Sequence, residues 1–212
     1  MRFQARNIRP ILLSSLLTLM ALQVGFADGH ASSQPYLSGH GINFATGNKY
    51  LVETDIVLGG AVKGMAFQRF YNSQSTEAGI MGYGWSCPLT ERLIDNTSSI
   101  ALVQKDGRHV AFASDGQGGY IAALGSSQTI TRITGGFRLT LANRDVHVYN
   151  SAGRLTNITF RNGASLSYTY SGAEVASIAD SLGRTLGFTY TGGRLTGLST
   201  PQGNFTYGYD GN

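Results

Sequence analysis

Glu53 and Asp55 stand two residues apart in KYLVETDIV, a spacing at which two carboxylates on a strand could act as acid and base on a glycosidic bond. The same alternation puts both on one solvated face, and no partner for a pocket can be identified, so catalysis by them is not expected. His30, His40, His109 and His147 lack metal-ligand spacing and have no nearby cysteine. Cys87, the one cysteine, lies between Trp85 and Pro88 and reads as a small buried hydrophobe. It is too far from any cleavage point for a lipoprotein. No Gly-x-Ser-x-Gly elbow occurs, and the glycines of GYGWSC precede no helix whose N-terminus could hold a phosphate. Phrases such as DGR and DGQGG are turns without the regular spacing of calcium-binding nonapeptides. Asn96, Asn157 and Asn204 open Asn-x-Ser/Thr phrases, read as chance occurrences in a Ser/Thr-rich chain. The expectation is a non-enzymatic chain with no catalytic, cofactor-binding or metal-ligating residue and no cofactor. Trp85 and the tyrosines leave one binding chemistry open, because aromatic rows on a sheet stack on sugar rings.

The elements that carry these residues are strands. Of 212 residues, 42% are hydrophobic and 13% charged, which predicts an ordered globular product. Gly is frequent (29) and Pro scarce (4), and 11 Tyr with 10 Phe suit short strands joined by glycine turns. The glycines have no three-residue period, which excludes collagen.

Residues 1–27 read as a secretory signal peptide. Arg2, Arg6 and Arg9 form a basic start, Ile11 to Ala27 is apolar, and Gly25-Phe26-Ala27 is a cleavage-like site. The apolar stretch is shorter than the roughly 20 residues of a membrane span and is diluted by Ser14, Ser15, Thr18 and Gln23. Three of the 16 basic residues and none of the 12 acids lie in it, leaving 13 against 12 and a net charge of +1. The formal +4 of the whole chain is therefore no argument for nucleic-acid binding. A single cysteine in an exported chain also forms no internal disulfide.

From residue 143 the chain repeats itself every twenty residues. Gly153, Ala173 and Gly193 align, as do Leu155, Val175 and Leu195, then Ile158, Ile178 and Leu198, then Gly163, Gly183 and Gly203. The second halves SLSYTY, TLGFTY and NFTYGY repeat too, the last one residue early. Leu166, Tyr168 and Tyr170 alternate with polar residues, as do Leu186, Phe188 and Tyr190, which makes each an aromatic-faced strand. Asn162-Gly163 is the turn, read as a hairpin loop in which both residues take positive φ. The three-residue step from Leu155 to Ile158 breaks alternation and predicts a bulge. One unit is thus a β-hairpin that must stack on its neighbours to bury its apolar face. The chain stops at the turn phrase Tyr209–Asn212, which predicts that more hairpins follow in a longer protein. Residues 28–37 read as a flexible leader and 38–142 as a β-rich pre-repeat domain, so the whole mature chain is expected to be all-β, a meander of hairpins running into the repeats.

INFATGNKYLVETD (42–55), FQRFYNS (67–73), GYGWS (82–86), DGR (106–108), YNSAGRLT (149–156) and the twenty-residue units resemble the start of RHS/YD-repeat proteins. The resemblance covers roughly residues 38 to 212, joining the domain of unknown function that precedes the repeats to the first Tyr-Asp repeats. Only Tyr209-Asp210 keeps the Tyr-Asp dipeptide; Tyr149-Asn150, Tyr170-Ser171 and Tyr190-Thr191 depart from it at turns. The resemblance implies a wall of a hollow β-shell that encloses and delivers a C-terminal effector or toxin, in competition between cells. Its partners would be the rest of the shell and that effector, and the product would be secreted or on the cell surface, with the periplasm as a further location. The alternatives are a secreted or surface carbohydrate-binding module, whose partner would be a cell-surface glycan, and a truncated reading frame without independent function.

Overall fold

The computed structural model describes residues 41–43, 46–59, 65–122 and 126–210. The expected signal peptide and leader lie outside the described residues. Within them the chain is β throughout, with one turn of 3-10 helix at Pro88–Thr90 and no α-helix. No helix among the described residues is long and apolar enough to cross a membrane.

The first strands are β1 (Tyr50–Val57), β2 (Ala66–Asn72), β3 (Ala78–Gly79), β4 (Gly82–Tyr83) and β5 (Trp85–Ser86). β1, β2 and β5 form a small antiparallel sheet, and β3 pairs with β4. After the 3-10 turn comes an unbroken antiparallel meander of thirteen strands, each paired with the next. It begins with β6 (Arg92–Asp95), β7 (Ser99–Val103), β8 (His109–Ser114), β9 (Gly119–Ala122), β10 (Thr129–Ile133) and β11 (Gly136–Thr140). It continues through β12 (Val146–Asn150), β13 (Leu155–Thr159), β14 (Ser165–Ser171) and β15 (Glu174–Asp180), and ends with β16 (Thr185–Thr191), β17 (Arg194–Thr200) and β18 (Gly203–Thr206). The DGR phrase turns β7 into β8 and the DGQGG phrase turns β8 into β9, as expected of turns.

The period-2 alternation decides which face is inside. In β14 and β16, Leu166, Leu186 and Phe188 are buried while Ser167, Thr169 and Thr189 are exposed. Leu102, Phe112, Ile130, Leu139, Leu155, Ile178 and Leu198 extend the same apolar face along the meander. Ile56, Met65, Phe67 and Cys87 from the chain before β6 join that core, and the Phe67 ring lies 5.6 Å from that of Phe188. The small sheet therefore fills the inner side of the large one. Each fully buried side chain of this kind contributes about 1.5–3 kcal/mol.

The large sheet curls without closing into a barrel. Its edge strand β6 meets the chain between β12 and β13 through a bridge of Arg92 to Arg154, with the Leu93 N–H donating to the Gly153 carbonyl at 2.8 Å. Gly153 has φ 75°, and a Cβ there would sit 2.1 Å from the Leu93 oxygen, so the contact requires glycine.

The bulge expected between Leu155 and Ile158 is present, and it recurs. Register slips between Val148 and Tyr149 against β13, between Thr169 and Tyr170 against β15, and between Thr189 and Tyr190 against β17. The extra residue is Thr156, Ala176 or Thr196, spaced by twenty. The Asn162-Gly163 turn differs from expectation, because only Gly163 has positive φ, at 84°. Pairing of Thr159 with Ser165 leaves five residues in the connection, too many for the two-residue loop that needs both. The Phe160 carbonyl accepts from Gly163 N–H at 2.9 Å and Phe160 N–H donates to Ala164 at 2.8 Å, a turn closed by a glycine bulge. The two-residue loop with both residues at positive φ occurs instead at Gly192-Gly193.

Candidate functional site on the inner face of the sheet

Three constellations of polar side chains lie on the inner face, each tied to a strand that the repeat or the bulges position. The first centres on Asp55. Its side chain is only 9% exposed and takes a two-pronged ion pair from Arg69, with Nη2 to Oδ1 at 2.8 Å and Nε to Oδ2 at 2.8 Å. The Tyr207 hydroxyl donates to the same carboxylate at 2.7 Å. The Arg69 guanidinium lies over the rings of Trp85 and Tyr207, at 5.3 and 5.6 Å. Hydrogen bonding to Asp55 raises the Arg69 pKa further, and burial followed by the Asp55 bond raises the Tyr207 phenol. The expectation of a solvated carboxylate pair holds for Glu53, which is exposed, and fails for Asp55. A bulge between Thr54 and Ile56 changes the register of β1 at that point and brings Ile56 into the core beside Asp55. Held by a cation and a phenol, Asp55 serves to join the first hairpin to the end of the meander.

The second constellation is Glu91, His147 and Tyr149. His147 Nδ1 lies 2.6 Å from Glu91 Oε1, and the Tyr149 hydroxyl donates to that same oxygen at 2.7 Å. The Glu91 and His147 side chains are 10% and 12% exposed. Burial first, then Glu91, holds the Tyr149 phenol well above its usual range. A carboxylate on an imidazole is half of a hydrolytic triad, but the hydroxyl here belongs to Tyr149 and points at the acid. The group instead ties the chain entering β6 to β12, beside the Leu93–Gly153 contact.

The third constellation is the repeat's own. Tyr170 donates to the Leu155 carbonyl at 2.7 Å, Tyr190 to that of Val175 at 3.0 Å and Tyr209 to that of Leu195 at 2.6 Å. The spacings are fifteen, fifteen and fourteen residues, so NFTYGY runs one residue early in space as well as in sequence. Arg154 and Arg194 cover the rings of Tyr170 and Tyr209 at 5.8 and 5.1 Å, whereas the middle unit carries Glu174 in that place.

Of the other candidates, Cys87 is fully buried and burial pushes its thiol up to about 12, the state of an inert hydrophobe. Trp85 lies between Arg69 and a Tyr71 ring 5.2 Å away, and among the described aromatics Tyr83, 61% exposed, is the one that stands out in solvent. His109 lies 3.2 Å from Glu77; His30 and His40 are outside the described residues. No cluster among the described residues groups three metal-ligating side chains. Glu91, Tyr149 and Tyr207 had no signal in the sequence, since their partners lie 56 to 152 residues away.

Residues 39–112 match the family described as a domain of unknown function, DUF6531. Over 131 residues the chain is 26% identical to the tRNA3(Ser)-specific nuclease WapA of Bacillus spizizenii and to the tRNA nuclease WapA of Bacillus subtilis. The aligned part is 61% of this chain and 6% of either relative, so the chain is similar to a small portion of much longer proteins.

Proposed function

We propose that this chain is a non-enzymatic wall segment of an exported RHS-type β-shell whose complete form encloses and delivers a C-terminal effector. Residues 38–142 seal the start of the wall, and the hairpins from 143 onward extend it. The observation that carries this reading is the hairpin lock. Each repeat tyrosine bonds to a carbonyl on the first strand of its own hairpin, so the same bond closes every added unit. The curl of the sheet gives such additions an inner face, which here is occupied by the small sheet.

The relatives lend the reading its second support. Their names give them tRNA nuclease activity, and this chain aligns with 6% of their length. We assign a nuclease or other toxic activity to an effector outside the aligned part, and a scaffold role to the segment they share. The signal peptide read at residues 1–27 would send the product out of the cell.

Protease protection of the native product tests the proposal. Peptides downstream of residue 212 are expected to survive protease in the folded particle and to be lost once it is denatured. Equal cleavage of those peptides in both states would overturn it.

A further inference from the structure

The hairpin units are alike in their own bonds, yet the chain before the large sheet meets each of them through different groups. The first unit, 153–172, takes Leu93, whose N–H donates to the Gly153 carbonyl at 2.8 Å. A Cβ at 153 would stand 2.1 Å from the Leu93 oxygen, and the matching residue of the second unit is Ala173.

The second unit, 173–192, takes Gly59 and Phe67. Asp180, whose side chain is fully buried, accepts from Arg184 Nε at 2.7 Å, and Arg184 Nη1 donates to the Gly59 carbonyl. The Phe188 ring packs on that of Phe67. In the first unit these three places hold Phe160, Ala164 and Tyr168, so the ion pair and its reach to Gly59 are missing there. The third unit, from Gly193, takes Ile80 and Asp55. The Leu195 N–H donates to the Ile80 carbonyl at 2.9 Å, and the Tyr207 hydroxyl donates to Asp55 at 2.7 Å. Phe188, which fills the place of Tyr207 in the second unit, has no hydroxyl to donate.

None of these contacts is needed inside a hairpin, since Tyr170 and Tyr190 close their own units without them. A surface built from near-identical units invites one error, the docking of its partner one unit out of place, as a strand can slip by one residue. Moved one unit forward, Leu93 would meet Ala173. Moved one unit back, Gly59 would meet Ala164, and Asp55 would meet Phe188. We infer that these side chains are addresses by which the pre-repeat chain recognises the order of the first three units and docks on them in a single register. The inference goes beyond the shell reading, because it concerns contacts within residues 55–210 alone, and it gives the sheet a fixed starting unit.

Exchange of the blocks 153–172 and 173–192 in the 212-residue chain tests this. Both blocks have twenty residues, so length, composition and the tyrosine bond inside each unit are kept. The exchanged chain is expected to lose roughly a hundredfold in its folding equilibrium constant, read by urea unfolding, because Ala173 now faces Leu93 and the Arg184 and Phe188 contacts are gone. Returning the addresses to their places, with Ala173→Gly, Phe160→Asp, Ala164→Arg and Tyr168→Phe on the exchanged chain, should recover most of that loss. Unchanged unfolding after the exchange would overturn the inference, because interchangeable units carry no address. A loss, complete or partial, that the four substitutions leave in place would overturn it as well. Protease protection of the chain beyond residue 212 is independent of either result, so the shell reading is judged by its own experiment.

Discussion

The hairpins from residue 143 and the chain before them share a core, yet they are fastened differently. In the repeats the fastening is local and uniform: a bulge, an apolar register and a tyrosine bonded to a carbonyl about fifteen residues back. Before them it depends on single long-range pairs, Asp55 with Arg69 and Tyr207, Glu91 with His147 and Tyr149, and Asp95 with Arg132 at 2.9 Å. Contacts made within each hairpin can be repeated with every added unit, whereas contacts made once fix a place. The pre-repeat chain is thus built to define one end of the sheet, and the repeats are built to lengthen it.

The comparison breaks most visibly at Phe188, which lies where the two regions meet. Phe188→Ala removes the ring packed on Phe67 and should cost about 3–5 kcal/mol in urea unfolding. Unchanged stability together with lost sugar binding would instead favour the carbohydrate-binding alternative. Gly153→Ala should follow, at about 3 kcal/mol, because its Cβ meets the Leu93 carbonyl in a positive-φ position. Gly163→Ala, with the same kind of φ but open space around it, should cost about 1–2 kcal/mol by the same measurement.

Two tyrosines compare the fastenings directly. Tyr207→Phe takes a hydrogen bond from a buried carboxylate and should cost about 2 kcal/mol, against about 1 kcal/mol for Tyr190→Phe, which frees a neutral carbonyl. Equal losses would mean that the two regions do not differ in kind. Arg144 occupies at φ 70° the turn position that Gly153, Gly163 and Gly183 fill elsewhere. Arg144→Gly should therefore raise stability by about 1 kcal/mol, seen as a higher melting temperature.

The smallest effect concerns acid. Burial tends to raise the Asp180 pKa, but the Arg184 side chain and the backbone N–H groups of Arg184 and Leu182 outweigh it and hold the carboxyl below its usual value. A lowered folded pKa gives stability that is present above the unfolded value near 4 and is lost as pH falls through the folded one. Melting curves should therefore decline below about pH 4, and Asp180→Asn should flatten that acid limb while leaving the loss at neutral pH.

The strands, the twenty-residue unit, its bulge and the one-residue advance of the last copy were all legible in the sequence, because each depends on neighbours within a hairpin. Asp55 was misread because a bulge in β1 and a phenol 152 residues away set its surroundings. The Glu91–His147–Tyr149 group was invisible for the same reason, since nothing near Glu91 in the chain signals that β12 will return to it. The turn at Asn162 shows a subtler limit. The dipeptide announces a turn, but the pairing of the flanking strands decides its length and hence which residue needs positive φ.

The intact mass of the native product, captured from its source with an antibody raised to residues 38–142, is the most direct test of a wall built to be lengthened. A species several times heavier than the 22.6 kDa of this chain is expected. A mature species no heavier than this chain would contradict the shell.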